Sequence, residues 1–122
     1  MRVIVTGSRA LKDEAAVYDA LWGVYQEHGP FQLVHGACST GADFYAELWH
    51  RIAGRGLGCT EEKFPAAWST RGRAAGPERN ERMIEAGADL VLAFPLPEGS
   101  GTQMTMRLAR EAGIEVREYG HG

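Results

Sequence analysis

Two patterns of apolar and polar positions alternate along this chain: short apolar runs ending in glycine turns, and longer stretches with apolar residues three or four apart. The runs read as strands of a buried parallel sheet and the stretches as amphipathic helices. Arg2 to Thr6 is the first predicted strand. A helix follows from about Asp13 to His28, with Val17, Leu21, Val24 and Tyr25 on one face and Gly29-Pro30 as its stop. Phe31 to His35 is a second strand with Gly36 to Gly41 as its exit loop. Thr40-Gly41-Ala42-Asp43 then has the form of a capping box opening a helix with the stripe Tyr45, Leu48, Trp49 and Ile52. The Gly54 to Gly58 region ends that helix. Cys59 to Phe64 is a third strand, and polar Thr60, Glu61, Glu62 and Lys63 put it near a sheet edge.

Pro65 to Ala75 has no period and reads as a long loop, a kind that is often functional in compact domains. Gly76 reads as an N-cap and Pro77 as the first position of a helix that runs to about Ala86 and is closed by Gly87. Ala88 to Phe94 is apolar on both faces, as a central parallel strand should be, and Pro95 to Ser100 is its exit loop. Gly101 to Ala112 is the last long helix, Gly113 its end, Ile114 to Glu118 the last strand, and Gly120-His121-Gly122 a frayed tail. The alternation predicts one domain: a three-layer, Rossmann-like α/β sandwich with a mostly parallel five-stranded sheet, right-handed crossovers and spatial order 3-2-1-4-5.

Composition narrows the function classes. The net charge of −3, from 16 acidic residues against 13 Lys plus Arg, lacks the positive field of a duplex-coating protein, so a nucleic-acid role would have to be local. Basic charge is concentrated at Arg71, Arg73, Arg79 and Arg82; Arg71 and Arg79 lie nearer the glycine turns in sequence, and Arg73 and Arg82 read equally well as solvated surface. No window approaches the roughly 18 apolar residues of a membrane span. Met1-Arg2 runs directly into Val3-Ile4-Val5 without room for a signal peptide, and Cys38 and Cys59 are too few for a disulfide framework. A cytoplasmic protein is expected, with no membrane partner. No histidine or cysteine spacing suggests a metal, and no cofactor is expected.

Candidate chemistry gathers at three glycine turns: Gly7-Ser8-Arg9, Gly36 to Gly41, and Glu98-Gly99-Ser100-Gly101-Thr102. Glycines let backbone approach a ligand, and free N–H groups at a helix start favour an anion by ~0.3–1 kcal/mol. At the ends of successive parallel strands the three turns would converge on one sheet edge. The third is the strongest phosphate cradle, with Thr102 as a hydroxyl donor, although neither a Walker A nor a full GxGxxG motif is present. Arg79 could pair with phosphate or with Glu78 or Glu81, and Asn80 could read a sugar or base edge. Ser8 could donate to a ligand oxygen, and Arg9 could neutralise charge or face solvent. Two roles are open to Asp43, helix cap or ribose ligand, and two to Trp68, base stacking or lid packing. Nothing marks Cys38 as an activated nucleophile, and His35 reads as a strand residue.

These residues together resemble the YspA-like branch of the SLOG superfamily, a Rossmann-like group related to the LOG phosphoribohydrolases and the DprA/Smf DNA-processing proteins. The likeness rests on Gly7-Ser8-Arg9, His35-Gly36-Ala37 through Gly41-Ala42-Asp43, Phe64-Pro65-Ala66-Ala67-Trp68, Ala75-Gly76-Pro77-Glu78-Arg79-Asn80, Met83, Asp89 to Phe94, and Gly101-Thr102. The resemblance implies binding of a nucleotide or nucleotide-derived ligand in the cleft among the turns. The LOG enzymes carry PGGxGTxxE, whose glutamate assists glycosidic cleavage. This chain keeps Gly99, Gly101 and Thr102 but has Glu98 at a glycine position and Thr105 at the glutamate position. Glu98 could substitute as an acid or repel phosphate. The resulting expectation is a nucleotide-binding sensor or carrier, with N-glycoside or phosphoribosyl hydrolysis and a DNA-processing accessory module as alternatives. Self-association into a homo-oligomer is a further expectation from the relatives.

Overall fold

The computed structural model describes residues 1–97 and 100–119. Five strands form one sheet in the order β3-β2-β1-β4-β5, with every neighbouring pair parallel. They are β1 (Arg2–Gly7), β2 (Gln32–His35), β3 (Thr60–Lys63), β4 (Leu90–Phe94) and β5 (Glu115–Glu118). The inner strands β1 and β4 are the most apolar because both of their faces are covered, and β4 is buried throughout. Polar β3 and β5 lie at the two edges, as the sequence pattern predicts for β3.

Side-chain alternation divides the core in two. Val3, Val5, Leu33, Leu90, Leu92 and Phe94 face α1 (Glu14–His28) and α2 (Gly41–Trp49), where they meet Val17, Leu21, Val24, Ala46 and Trp49. Ile4, Val34, Val91 and Ala93 point the other way, onto Met83, Met106 and Ala109. The remaining helices are α3 (Trp68–Arg71), α4 (Ala75–Glu85) and α5 (Ser100–Glu111), and α4 packs on α5 across the second face. This is the expected three-layer, Rossmann-like arrangement. Its helices change sides between β1 and β4, which opens a crevice beyond the carboxyl ends of those strands. Among the described residues, no helix is long and apolar enough to cross a membrane.

Four local expectations are corrected. Thr40 is the N-cap of α2, but its side chain makes no capping bond, and Asp43 is not the second half of a capping box: its carboxylate accepts from the Cys38 N–H at 3.4 Å. Ile52 is 71% exposed rather than part of the buried stripe, because α2 passes into a π-helical turn at His50–Gly54 whose wider winding changes the phase. The stretch Pro65 to Ala75 contains α3 and a 3₁₀ turn at Gly72–Ala74. That turn runs directly into α4, so Gly76 lies within the helix and Ala74 is its N-cap. Pro77 is tolerated there because N–H groups of the first turn have no helical partner. The expectations placed on Glu98, Gly99 and the tail from Gly120 lie outside the described residues.

Candidate functional site

Because every strand points the same way, the segments leaving β1, β2, β3 and β4 meet at one edge around a cleft of about 580 Å³. Gly7, Ser8 and Arg9 enter it from β1, Cys38 and Asp43 from the β2 side, and Trp68 and Arg73 from the segment after β3. Gly76, Pro77, Arg79, Asn80 and Met83 line it from α4, and Ser100, Gly101, Thr102 and Met104 from α5. A smaller pocket of about 230 Å³ adjoins it, lined by Gly36 to Thr40 and sharing Arg9, Cys38 and Trp68 with the cleft.

Arg79 dominates the floor. It is 8% exposed; its Nε donates to Asn80 Oδ1 at 2.8 Å and its Nη1 to the Gly36 carbonyl at 2.6 Å. Among the described residues it makes no ion pair, so neither Glu78 nor Glu81 takes it to the surface. The Asp43 carboxylate flanks the same Gly36 backbone without pairing directly, and a buried guanidinium lacking a direct ion pair carries a desolvation cost that a bound anion would offset. Asn80 makes one bond at each end of its amide: besides accepting from Arg79, its Nδ2 donates to the Gly101 carbonyl at 3.4 Å. It braces the guanidinium against the start of α5.

Thr102 is 3% exposed, lines the cleft, and its hydroxyl has no hydrogen-bond partner among the described residues. It sits in the first turn of α5, which carries no acidic residue and whose first N–H groups have no partner within the helix. Thr105 lies in the next turn, fully buried, with its hydroxyl on the Gly101 carbonyl at 3.1 Å.

The glycines have unequal roles. A Cβ on Gly7 would come within 2.5 Å of Ala42 Cβ, and one on Gly36 within 2.0 Å of Arg79 Nη1 and 2.9 Å of Asp43 Oδ2. Gly41, at φ +75°, would meet the Ser8 carbonyl at 2.2 Å. These three are glycine because other parts of the protein crowd them. At Gly101, which lines the cleft, the nearest described atom is Asn80 Nδ2 at 3.9 Å, an ordinary van der Waals contact, so of the four this glycine alone is not crowded by the protein.

Arg71 is not a cleft residue: it is exposed on α3 and ion-paired to Glu78 on α4. Arg73, two residues on, takes the place expected of it. A loop without period carries no signal of which arginine turns inward. Arg9 does reach the cleft, with Cζ 4.7 Å over the Trp68 ring, and Trp68 is 47% exposed at the mouth. Ser8 lines the wall, and its Oγ accepts from the Ala10 N–H.

Thr6, not anticipated, is 7% exposed, lines the cleft and has no side-chain partner among the described residues. Its signal was present in sequence: it follows Ile4 on the same face of β1, a polar residue at a core-facing position just before the glycine turn. His35 holds the β2 exit loop from beneath. Its Nδ1 accepts from the Ala37 N–H at 3.0 Å and its Nε2 lies 2.7 Å from Glu61 Oε2, steadying Ala37 in a left-handed conformation at φ +58°. Burial, followed by the charge of Asp43, pushes the Cys38 thiol above its ordinary pKa, which keeps it protonated and unreactive. Among the described residues no group of three or more His, Cys, Asp or Glu could hold a metal ion.

Residues 1–70, from β1 into α3, match a family described as the YspA, cpYpsA-related SLOG family. The chain is also 43% identical over 122 residues to the Gene 61 protein of Mycobacterium phage D29, an alignment covering 98% of this chain and 96% of that relative. No solved structure matches it. With the first three strands and their exit loops inside the matched region, and a relative alike over nearly its whole length, the chain belongs to the YspA, cpYpsA-related SLOG family.

Proposed function

We propose that this protein binds a nucleotide or nucleotide-derived phosphorylated molecule in the cleft, as a sensor or carrier. One observation carries the reading: the buried Arg79 guanidinium, which makes no ion pair among the described residues, stands beside the first turn of α5 and the Thr102 hydroxyl, which has no hydrogen-bond partner among them. Together they supply a fixed positive charge, backbone N–H groups and a hydroxyl, the donor set a phosphate accepts. In this reading Gly101 gives the phosphate close access to backbone, Ser100 lines the same wall, and Asp43 receives ribose hydroxyls. Arg9 and Arg73 add positive charge nearer the mouth. Against the hydrolytic alternative, Thr105 stands where the LOG pattern has its glutamate, and its hydroxyl is occupied by the Gly101 carbonyl.

Calorimetry with AMP and with Arg79→Ala tests the proposal. Loss of a charge-assisted hydrogen bond should weaken binding by ~1.5–3 kcal/mol, about ten- to hundredfold in Kd. The variant also leaves the Gly36 carbonyl without its donor, so folding is checked by circular dichroism. A folded variant with unchanged affinity would remove Arg79 from the site. Native mass spectrometry of freshly purified protein, searching for a retained nucleotide, supplies an independent check.

A further inference from the structure

The chemistry of the cleft bears on which part of a nucleotide is recognised. To distinguish one base from another, a site needs donors and acceptors held in fixed positions against the base edge, as an asparagine or glutamine amide provides. Asn80 carries the one side-chain amide among the described lining residues; it is 5% exposed, and each end of the amide is turned to a protein partner, Oδ1 accepting from Arg79 and Nδ2 donating to Gly101. What remains free on the floor is of a different kind. The hydroxyls of Thr6 and Thr102 rotate and can donate or accept, so they do not discriminate between edges. The Asp43 carboxylate, 6% exposed, accepts from the Cys38 N–H through Oδ2 and has further lone pairs; it accepts only, which suits the hydroxyls of a sugar.

At the mouth, the exposed group is the Arg9–Trp68 stack. Stacking tolerates any base, because every base has a π-face. Arg73 is exposed there and makes no side-chain hydrogen bond to a described residue, so its donors are not held in register with a base edge.

We infer that the site recognises the sugar-phosphate portion of its ligand and is indifferent to the base. The minimal ligand is a phosphorylated sugar, with any base stacked at the mouth. This rests on the phosphate-binding reading above. It replaces the sugar- or base-reading role expected of Asn80 with a positioning one, in which Asn80 sets the plane of the Arg79 guanidinium.

Calorimetry of the wild-type protein against AMP, GMP, CMP, UMP, ribose 5-phosphate and inorganic phosphate tests the inference. The four nucleotides should agree in Kd within about threefold, and ribose 5-phosphate should bind within about tenfold of them, since a site that hydrogen-bonded a base would reject the wrong one far more strongly. A preference above about tenfold for one base, or nucleotide binding with no binding of ribose 5-phosphate, overturns the inference while leaving the phosphate site in place. Binding of none of the six overturns the phosphate-binding reading itself, and this inference with it. Asn80→Ala supplies a second measurement: as a brace, its loss weakens ribose 5-phosphate and all four nucleotides by the same factor. Were Asn80 a base reader, the variant would leave ribose 5-phosphate unchanged and alter only the ranking of bases.

Discussion

Gly101→Ala separates ligand access from protein packing more cleanly than any other substitution in the cleft. A Cβ added there meets nothing nearer than Asn80 Nδ2 at 3.9 Å, an ordinary van der Waals distance, and the residue lies in the first turn of α5 without a positive φ. The apo protein should therefore accept alanine without strain. Alanine in place of a helical glycine reduces the entropy of the unfolded chain, worth up to ~0.5–1 kcal/mol, so the melting temperature should hold or rise by a few degrees. Binding should respond oppositely. A phosphate oxygen accepting from backbone N–H groups sits about 2.7–3.2 Å from them, and a methyl group on the same wall holds it off. Losing one charge-assisted bond costs ~1.5–3 kcal/mol, about ten- to hundredfold in Kd. Calorimetry with AMP or ribose 5-phosphate, alongside a thermal melt of the free protein, measures both arms. A variant that melts as well as wild type and binds equally well would show that the α5 turn does not touch the ligand. A variant that melts several degrees lower would refute the packing argument instead.

Gly41→Ala should behave in the opposite manner, losing ~2–4 kcal/mol of stability in urea denaturation from its left-handed backbone and the collision with the Ser8 carbonyl. Thr6→Val removes a buried hydroxyl at nearly constant shape; since that hydroxyl has no described partner, the melting temperature should be unchanged while ligand affinity falls by ~0.5–1.5 kcal/mol in calorimetry. His35→Ala takes away the acceptor of the Ala37 N–H and the partner of Glu61, and should cost ~2–4 kcal/mol by chemical denaturation, from two hydrogen bonds and a cavity. Alkylation of Cys38 by iodoacetamide should be slow at neutral pH and accelerate only above the usual thiol range, because burial raises its pKa and the thiolate is the reactive form. Rapid labelling of Cys38 at pH 7 in folded protein, located by peptide mapping, would contradict that.

Much of this architecture is dictated locally. Val3-Ile4-Val5 and Leu90 to Phe94 are apolar on both faces, which only a strand covered by two helical layers satisfies, and the polar run Thr60 to Lys63 belongs at an edge. From those runs, the helical periods between them and the right-handed crossover rule, strand order and parallel direction follow, and with them the edge at which Gly7, Asp43 and Thr102 gather. Other features depend on neighbours distant in the chain. That Gly7, Gly36 and Gly41 are crowded by Ala42, Arg79 and Ser8 while Gly101 meets nothing closer than ordinary contact is a matter of interatomic distance. That Arg73 rather than Arg71 enters the cleft depends on how α3 and the 3₁₀ turn are set against α4. Sequence period reports which face of an element is buried, because burial repeats with the winding of the backbone. It is silent on which partner a polar side chain finds, because that partner is chosen by packing between elements, and so the commitment of Asn80 to Arg79 and Gly101 belongs to the tertiary structure alone.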